Sequence, residues 1–184
     1  VWTILGIIII GFGGVFCVYT YIADTILEVT HTPAYTISIA MIMFGIGCTL
    51  GNYLLGKAAD HSPLKTTGAA LIGAVVFAAS YVSASHNIWL LYAVIFFIGF
   101  SVGLGTVIHS LLMDVSPQGH AMIGALVQCA FNTANAIGPW LGGMAIAEGA
   151  LPSQTGYVSA ALFLGGFLMW SLSAMQMKRQ SCKP

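Results

Sequence analysis

Charged side chains are scarce in this sequence. Five basic and five acidic residues make up only 5% of the 184, whereas 58% are hydrophobic. Soluble domains carry about 25% charged residues, because their surfaces must face water. The mean hydropathy of +0.93 points the same way. The sequence therefore predicts that lipid surrounds most of the chain, and a net charge of +0 offers no basic surface for nucleic acid.

Metal-ligand and disulfide spacings are also lacking. The four cysteines, Cys17, Cys48, Cys129 and Cys182, lie far apart, with no Cys-x-x-Cys or Cys/His pattern. We interpret them as small side chains within helices, with Cys182 in a tail. The sequence gives no reason to expect a metal, a cofactor or covalent catalysis.

The beginning of the sequence lacks an initiator methionine. Val1 lies directly inside an apolar run, and no basic segment of the kind that opens a signal peptide precedes it. We therefore expect the chain to be part of a longer polypeptide.

Long apolar segments make up most of the sequence. About 20 apolar residues are needed to cross the hydrocarbon core, and in lipid the backbone must satisfy its own hydrogen bonds, which favours helices. Six runs fit this length. Together they predict a single domain, a six-helix bundle that comprises the whole chain 1–184. They span approximately 2–23, 35–56, 66–84, 88–113, 120–147 and 156–177.

The basic residues predict an orientation. All five lie in the 57–65 connection or in the tail, as Lys57, Lys65, Lys178, Arg179 and Lys183. Counting crossings places both groups on one side of the membrane, which the positive-inside rule assigns to the cytoplasm. The start and the end of the chain are then both expected to be cytoplasmic.

The connection between the second and third runs carries a recognisable motif. Two glycines end the second run, and a carboxylate and a lysine follow, in the order Gly51, Gly56, Asp60 and Lys65. The segment resembles the glycine-rich loop signature, ending in Asp-Arg, of the major facilitator superfamily. His61 stands where that family has arginine, and the usual run of basic residues is reduced to Lys65, as in the weaker second-half copy of the motif.

Two further segments support the resemblance. The fifth run contains Gly138, Pro139, Gly142 and Gly143, which is similar to the Gly-Pro-x-x-Gly-Gly pattern of helix eleven in drug- and sugar-efflux members. The first run and the segment that follows it, over residues 19–30, also resemble helix seven of the arabinose-efflux-permease-like group. The resemblance covers essentially the whole chain.

The resemblance implies an all-α membrane protein forming one half of a twelve-helix transporter. Such a half consists of two three-helix inverted repeats, and the substrate site lies between the two halves. The implied activity is proton-coupled efflux of a small molecule (a sugar, nucleoside or drug) by alternating access in a bacterial inner membrane. The implied partner is the missing N-terminal half, and transport by this chain alone is not expected.

Polar residues within the runs are candidates for the cavity, because polar groups are costly in lipid. Gln128, Asn132 and Asn135 share one face of the fifth helix, where they would bind a polar substrate or link helices. Small-residue spacing at Gly47 and Gly51, and at Gly99 and Gly103, predicts close helix packing.

Four titratable side chains are further candidates. Tyr21, Asp24 and Glu28 share a face near the end of the first helix, where Asp24 would gate substrate or couple protons, or would simply be solvated. His109 near the end of the fourth helix would carry protons, or would be a solvated histidine.

Two other classes of membrane protein fit these patterns less well. Ser101 between Gly99 and Gly103 suggests an intramembrane serine protease, but the sixth run contains no histidine to act as its base. A channel built on Asn-Pro half-helices is disfavoured, because no Asn-Pro dipeptide occurs. A six-helix protein that assembles with itself or does not transport remains the alternative.

Overall fold

The computed structural model describes residues 2–115 and 120–181, which are helical throughout apart from short connections. Six long helices follow the six apolar runs. They are α1 (Trp2–Thr20), α2 (Tyr35–Ala59), α3 (Pro63–Ala84), α4 (88–115), α5 (His120–Ala147) and α6 (Thr155–Ser181). The expected all-α membrane fold is confirmed.

Five helical spans within the described residues have the length and apolarity needed to cross a membrane. They correspond to α1, α2, α3, α4 and α6. The 28 residues of α5 are long enough as well, but Gln128, Asn132 and Asn135 lower its hydropathy. The long helix that falls short in hydropathy is thus the one that carries these three amide side chains, which we call the amide row.

Local signals define several helix ends. Pro63 occupies the first turn of α3, where its missing N–H costs nothing. Asn87 caps α4 by accepting a hydrogen bond from the backbone N–H of Trp89 at 3.0 Å. After α5, Gly149 adopts a φ of 97°, a left-handed conformation that favours glycine. Lys57 and Lys65 lie inside α2 and α3, so the charged connection is shorter than the sequence predicted.

The first three helices and the last three form two repeats with inverted orientation. The contact between α2 and α4 corresponds to the contact between α5 and α1. The contact between α3 and α4 corresponds to that between α6 and α1, and α3 and α6 pack on each other. Exchanging the first three helices with the last three leaves this pattern unchanged. Because each repeat has three helices, the second repeat runs in the opposite direction, which is the arrangement that the resemblance implied.

Glycines allow close approach of the helix backbones in the two equivalent contacts, α2 with α4 and α1 with α5. A side chain at Gly47 or Gly51 would overlap the backbone carbonyl of Phe96 or Phe100 on α4, and one at Gly103 would overlap the backbone of Gly51. In the equivalent contact, a side chain at Gly138 would overlap the carbonyl of Gly13. The predicted close packing of the small residues is confirmed, and it holds each repeat against the other.

Candidate functional site

The α-helical geometry is interrupted midway along α1 and α4. A π-helical turn occupies Ile8–Phe12 in α1, and a 3-10 turn occupies Ser101–Gly103 in α4. These two helices are equivalent in the inverted repeat. Short non-α turns inside long helices often mark functional sites or hinges.

A groove runs along the bundle at the level of these turns. Phe12, Val102 and Phe131 lie at its centre, and the rings of Phe12 and Phe131 meet edge to face with centroids 4.6 Å apart. On either side of these three residues are depressions of about 430 Å³ and about 640 Å³. We call the whole feature the central groove; α1, α2, α4 and α5 form it.

The two ends of the central groove differ chemically. The smaller depression lies toward the C-terminal ends of α2 and α4 and presents four polar side chains, Asn52, Thr106, His109 and Ser110. The larger one lies toward the other side of the membrane and is lined mainly by apolar groups, among them Val15, Phe16, Met41 and Phe44. Thr106, His109 and Ser110 share one face of α4, because they are spaced three and four residues apart. The arrangement can hydrogen-bond one end of a small molecule while burying its apolar part.

His109 and Asp24 are separated in the structure. His109 lines the polar end of the central groove, whereas Asp24 lies beyond the end of α1 and is not among the groove residues. Glu28 is exposed in the π-helical turn Thr25–Val29. Of the two residues considered for proton coupling, only His109 is positioned to contact a molecule in the groove.

Tyr21, directly after α1, contacts the segment of α5 around Pro139. Its hydroxyl donates a hydrogen bond to the carbonyl oxygen of Pro139 at 2.9 Å. Its ring lies against Gly142 and Gly143, whose missing side chains leave the necessary space. The Gly-Pro-x-x-Gly-Gly segment therefore packs against Tyr21. The sequence alone does not indicate this contact, because the hydrogen-bonded residues are 118 positions apart.

The amide row lies on an open surface of α5. Gln128, Asn132 and Asn135 are exposed, and the side-chain amide of Gln128 donates to that of Asn132 at 3.3 Å. None of the three lines the central groove, although their neighbour Phe131 does. Exposed amides at membrane depth are costly unless protein or water covers them.

The loop motif divides into two parts. Gly51 is buried in the contact with α4, whereas no atom beyond the adjoining backbone of α2 lies within 4 Å of the place where a side chain at Gly56 would begin. Asp60 and Lys65 are exposed on the side where α2 ends and α3 begins. The basic side chains of the tail, Lys178, Arg179 and Lys183, are outside the part of the chain that the structure describes.

Sequence reasoning missed the aromatic centre of the groove. Phe12, Val102 and Phe131 come from three helices, and each looks like an ordinary lipid-facing residue in the sequence. The polar face of α4 was detectable, since Thr106, His109 and Ser110 follow helical spacing. Among the described residues, no cluster of three His, Cys, Asp or Glu side chains could hold a metal.

Removal of the Tyr21 hydroxyl tests whether this residue is structural. Tyr21→Phe loses the bond to Pro139, and we expect the free energy of unfolding to fall by about 1 kcal/mol. Thermal unfolding of the whole purified protein measures this loss. Tyr53→Phe, at an exposed position of α2, is the control. Unchanged unfolding of Tyr21→Phe would show that this hydrogen bond does not stabilise the contact between α1 and α5.

The inverted repeat, the apolar helices and a groove between the repeats define a multi-pass integral membrane protein. Residues 1–181 match the model of the Major Facilitator Superfamily, and the chain belongs to this family.

Relatives in three bacteria resemble the chain. It is 26% identical over 176 residues to YtbD of Bacillus subtilis, described as an uncharacterized MFS-type transporter, covering 92% of this chain and 44% of the relative. It is 27% identical to the inner membrane transport protein YdhP of Escherichia coli K12, covering 77% and 36%. It is 23% identical to a probable sugar efflux transporter of Helicobacter acinonychis, covering 86% and 40%. The chain therefore spans less than half the length of these relatives.

Proposed function

We propose that this chain is the C-terminal half of a secondary transporter that exports a small amphipathic molecule. The observation that carries the proposal is the central groove, which joins a polar end to an apolar end along one face of an inverted repeat. Its described lining contains aromatic rings, hydroxyls, an amide and an imidazole, and no carboxylate. This lining favours an uncharged or weakly basic compound, such as a nucleoside, a sugar derivative or a drug.

An N-terminal half would complete the cavity. The relatives are more than twice as long as the part that matches this chain, and a facing bundle would cover the exposed amides of α5. Gln128, Asn132 and Asn135 then lie at the interface between the halves or at the edge of the cavity. The turns at Ile8–Phe12 and Ser101–Gly103 are the places where α1 and α4 would bend during alternating access.

His109 is the proposed proton-coupling group of this half. Imidazole is the side chain whose charge ordinarily changes between pH 5 and 8, and His109 lies beside Asn52 and Ser110 at the polar end of the groove. The positive-inside rule assigns this end of the groove to the cytoplasm, because Lys57 and Lys65 lie on the same side of the bundle.

The test is export by the whole protein that contains this chain. Cells expressing it are loaded with labelled sugars, nucleosides and dyes, and efflux is followed with and without a protonophore. We expect at least one compound to be exported, the protonophore to stop export, and His109→Gln to uncouple the remaining flux from the pH gradient. Asp24→Asn should keep the coupling.

Three results would contradict the proposal. Coupled export that survives His109→Gln but is lost in Asp24→Asn would move proton coupling to the end of α1. Flux through this chain alone would favour a self-assembling channel. A whole protein that moves none of the compounds would favour a role without transport.

A further inference from the structure

A second groove lies on a different face of the bundle. It has a volume of about 380 Å³, runs between α2, α3 and α4, and shares no lining residue with the central groove. α3 contributes much of its wall but nothing to the central groove. Its lining includes Ala58, Thr66, Ala70, Gly73, Phe77 and Phe97. We call this feature the outer groove.

The outer groove has the length of half a bilayer. It extends along α3 from Thr66 to Phe77, a rise of roughly 16 Å at 1.5 Å per residue. The hydrocarbon core of a bilayer is about 30 Å thick, so one leaflet occupies about half of this distance. Near the middle of the membrane, the rings of Phe77 and Phe97 stack with centroids 4.2 Å apart and close the groove.

The wall of the outer groove suits a hydrocarbon chain. Small residues form much of it, and beyond the adjoining backbone of α3 itself no atom lies within 4 Å of the place where a side chain at Gly73 would begin. One of its two hydroxyls, on Ser101, already donates to the carbonyl of Phe97 at 3.1 Å. An extended peptide would bring polar backbone groups that find few partners in this wall, whereas an acyl chain brings none.

Basic residues stand at the open end. Lys57 precedes Ala58 and Lys65 precedes Thr66, so each lysine adjoins a groove residue at the membrane surface. Both lysines are exposed, and the single carboxylate between them, Asp60, leaves a net positive charge over 57–65. Basic sites between membrane helices on the cytoplasmic side bind anionic lipid headgroups.

We propose that the outer groove binds one anionic phospholipid. One acyl chain lies along α3 between Thr66 and the Phe77–Phe97 pair, and the phosphate group lies near Lys57 and Lys65. The charge complementarity at the surface and the apolar channel of one-leaflet depth favour a lipid over a second protein chain. The site is separate from the groove proposed for transport.

Lipid retention by the whole protein tests the proposal. The protein is purified, equilibrated with phosphatidylglycerol or phosphatidylcholine of identical acyl chains, and analysed by native mass spectrometry. We expect phosphatidylglycerol to be retained at least about tenfold better, since each lysine near the surface strengthens anionic lipid binding. The double variant Lys57→Gln/Lys65→Gln should lose this preference, and Lys57→Arg/Lys65→Arg should keep it.

A second variant tests the acyl channel. Gly73→Leu fills the groove from an open position and should reduce retention of both lipids, whereas Ala79→Leu, at an exposed site of α3 outside the groove, should not. Phosphatidylglycerol with a photoreactive group on its acyl chain should label residues between 66 and 77 in the unaltered protein. Equal retention of the two lipids, retention unaffected by Gly73→Leu, or labelling confined to residues outside the outer groove would overturn the proposal.

Discussion

Replacing Gly51 with valine is expected to prevent the two repeats from packing together. The added side chain would overlap the backbone of Phe100, and Gly103 on α4 approaches the backbone of Gly51 from the same side. Overpacking a core ordinarily costs about 1–3 kcal/mol, because side chains move aside. A helix backbone has no such freedom, so we expect the loss for Gly51→Val to reach at least about 3 kcal/mol.

The measurement is the yield of monodisperse whole protein in detergent, together with its thermal unfolding. Gly56→Val provides a matched control, because it lies five residues further along α2 and no neighbouring helix occupies the space beside it. The control should unfold like the unaltered protein, while Gly51→Val should aggregate or unfold at a markedly lower temperature. Equal stability of the two variants would mean that α2 and α4 are not in close contact.

The close contacts of the fold were predictable because their signal is local. Gly47 and Gly51 are four residues apart, as are Gly99 and Gly103, and this spacing places each pair on one helix face. The sequence alone did not reveal that the two pairs face each other. That pairing follows from the inverted repeat, which brings α2 against α4 and α1 against α5.

Helix ends illustrate another limit of sequence reasoning. Charged residues predict where the chain leaves lipid, and on this basis Lys57 and Lys65 are expected in a connection. The structure continues α2 to Ala59 and begins α3 at Pro63. Helices extend beyond the hydrocarbon core because their backbone bonds remain favourable in water, so the edge of the membrane and the end of a helix need not coincide.

The candidate site was predictable only where polarity marks it. His109 stands out in an apolar helix, and the structure places it in the central groove. Phe12 and Phe131 carry no such mark, because an aromatic ring suits lipid, a core and a binding cavity equally well. Tyr21 was expected beside the cavity on the strength of its helix face. Its hydrogen bond to Pro139 shows a contact with α5 that helical periodicity cannot reveal.

Filling the polar end of the central groove is expected to abolish export without unfolding the protein. Thr106 is exposed on the groove face of α4, and its own hydroxyl bonds to the carbonyl of Gly103 at 2.7 Å within the same helix. The Thr106→Trp ring therefore extends into a depression of about 430 Å³ rather than into packed neighbours. We expect export of any transported compound to fall more than about tenfold, because the added ring occupies the space needed by the ligand.

The matched control is Leu90→Trp, on the same helix at an exposed position outside the groove. It adds a ring of the same size to a surface that lipid can accommodate, and both export and thermal unfolding should remain close to those of the unaltered protein. A Thr106→Trp protein that unfolds normally and still exports at the full rate would place the transport path elsewhere, with the exposed amides of α5 as the next surface to test. Loss of export at unchanged stability, in Thr106→Trp alone, would tie the transport path to the groove between the repeats.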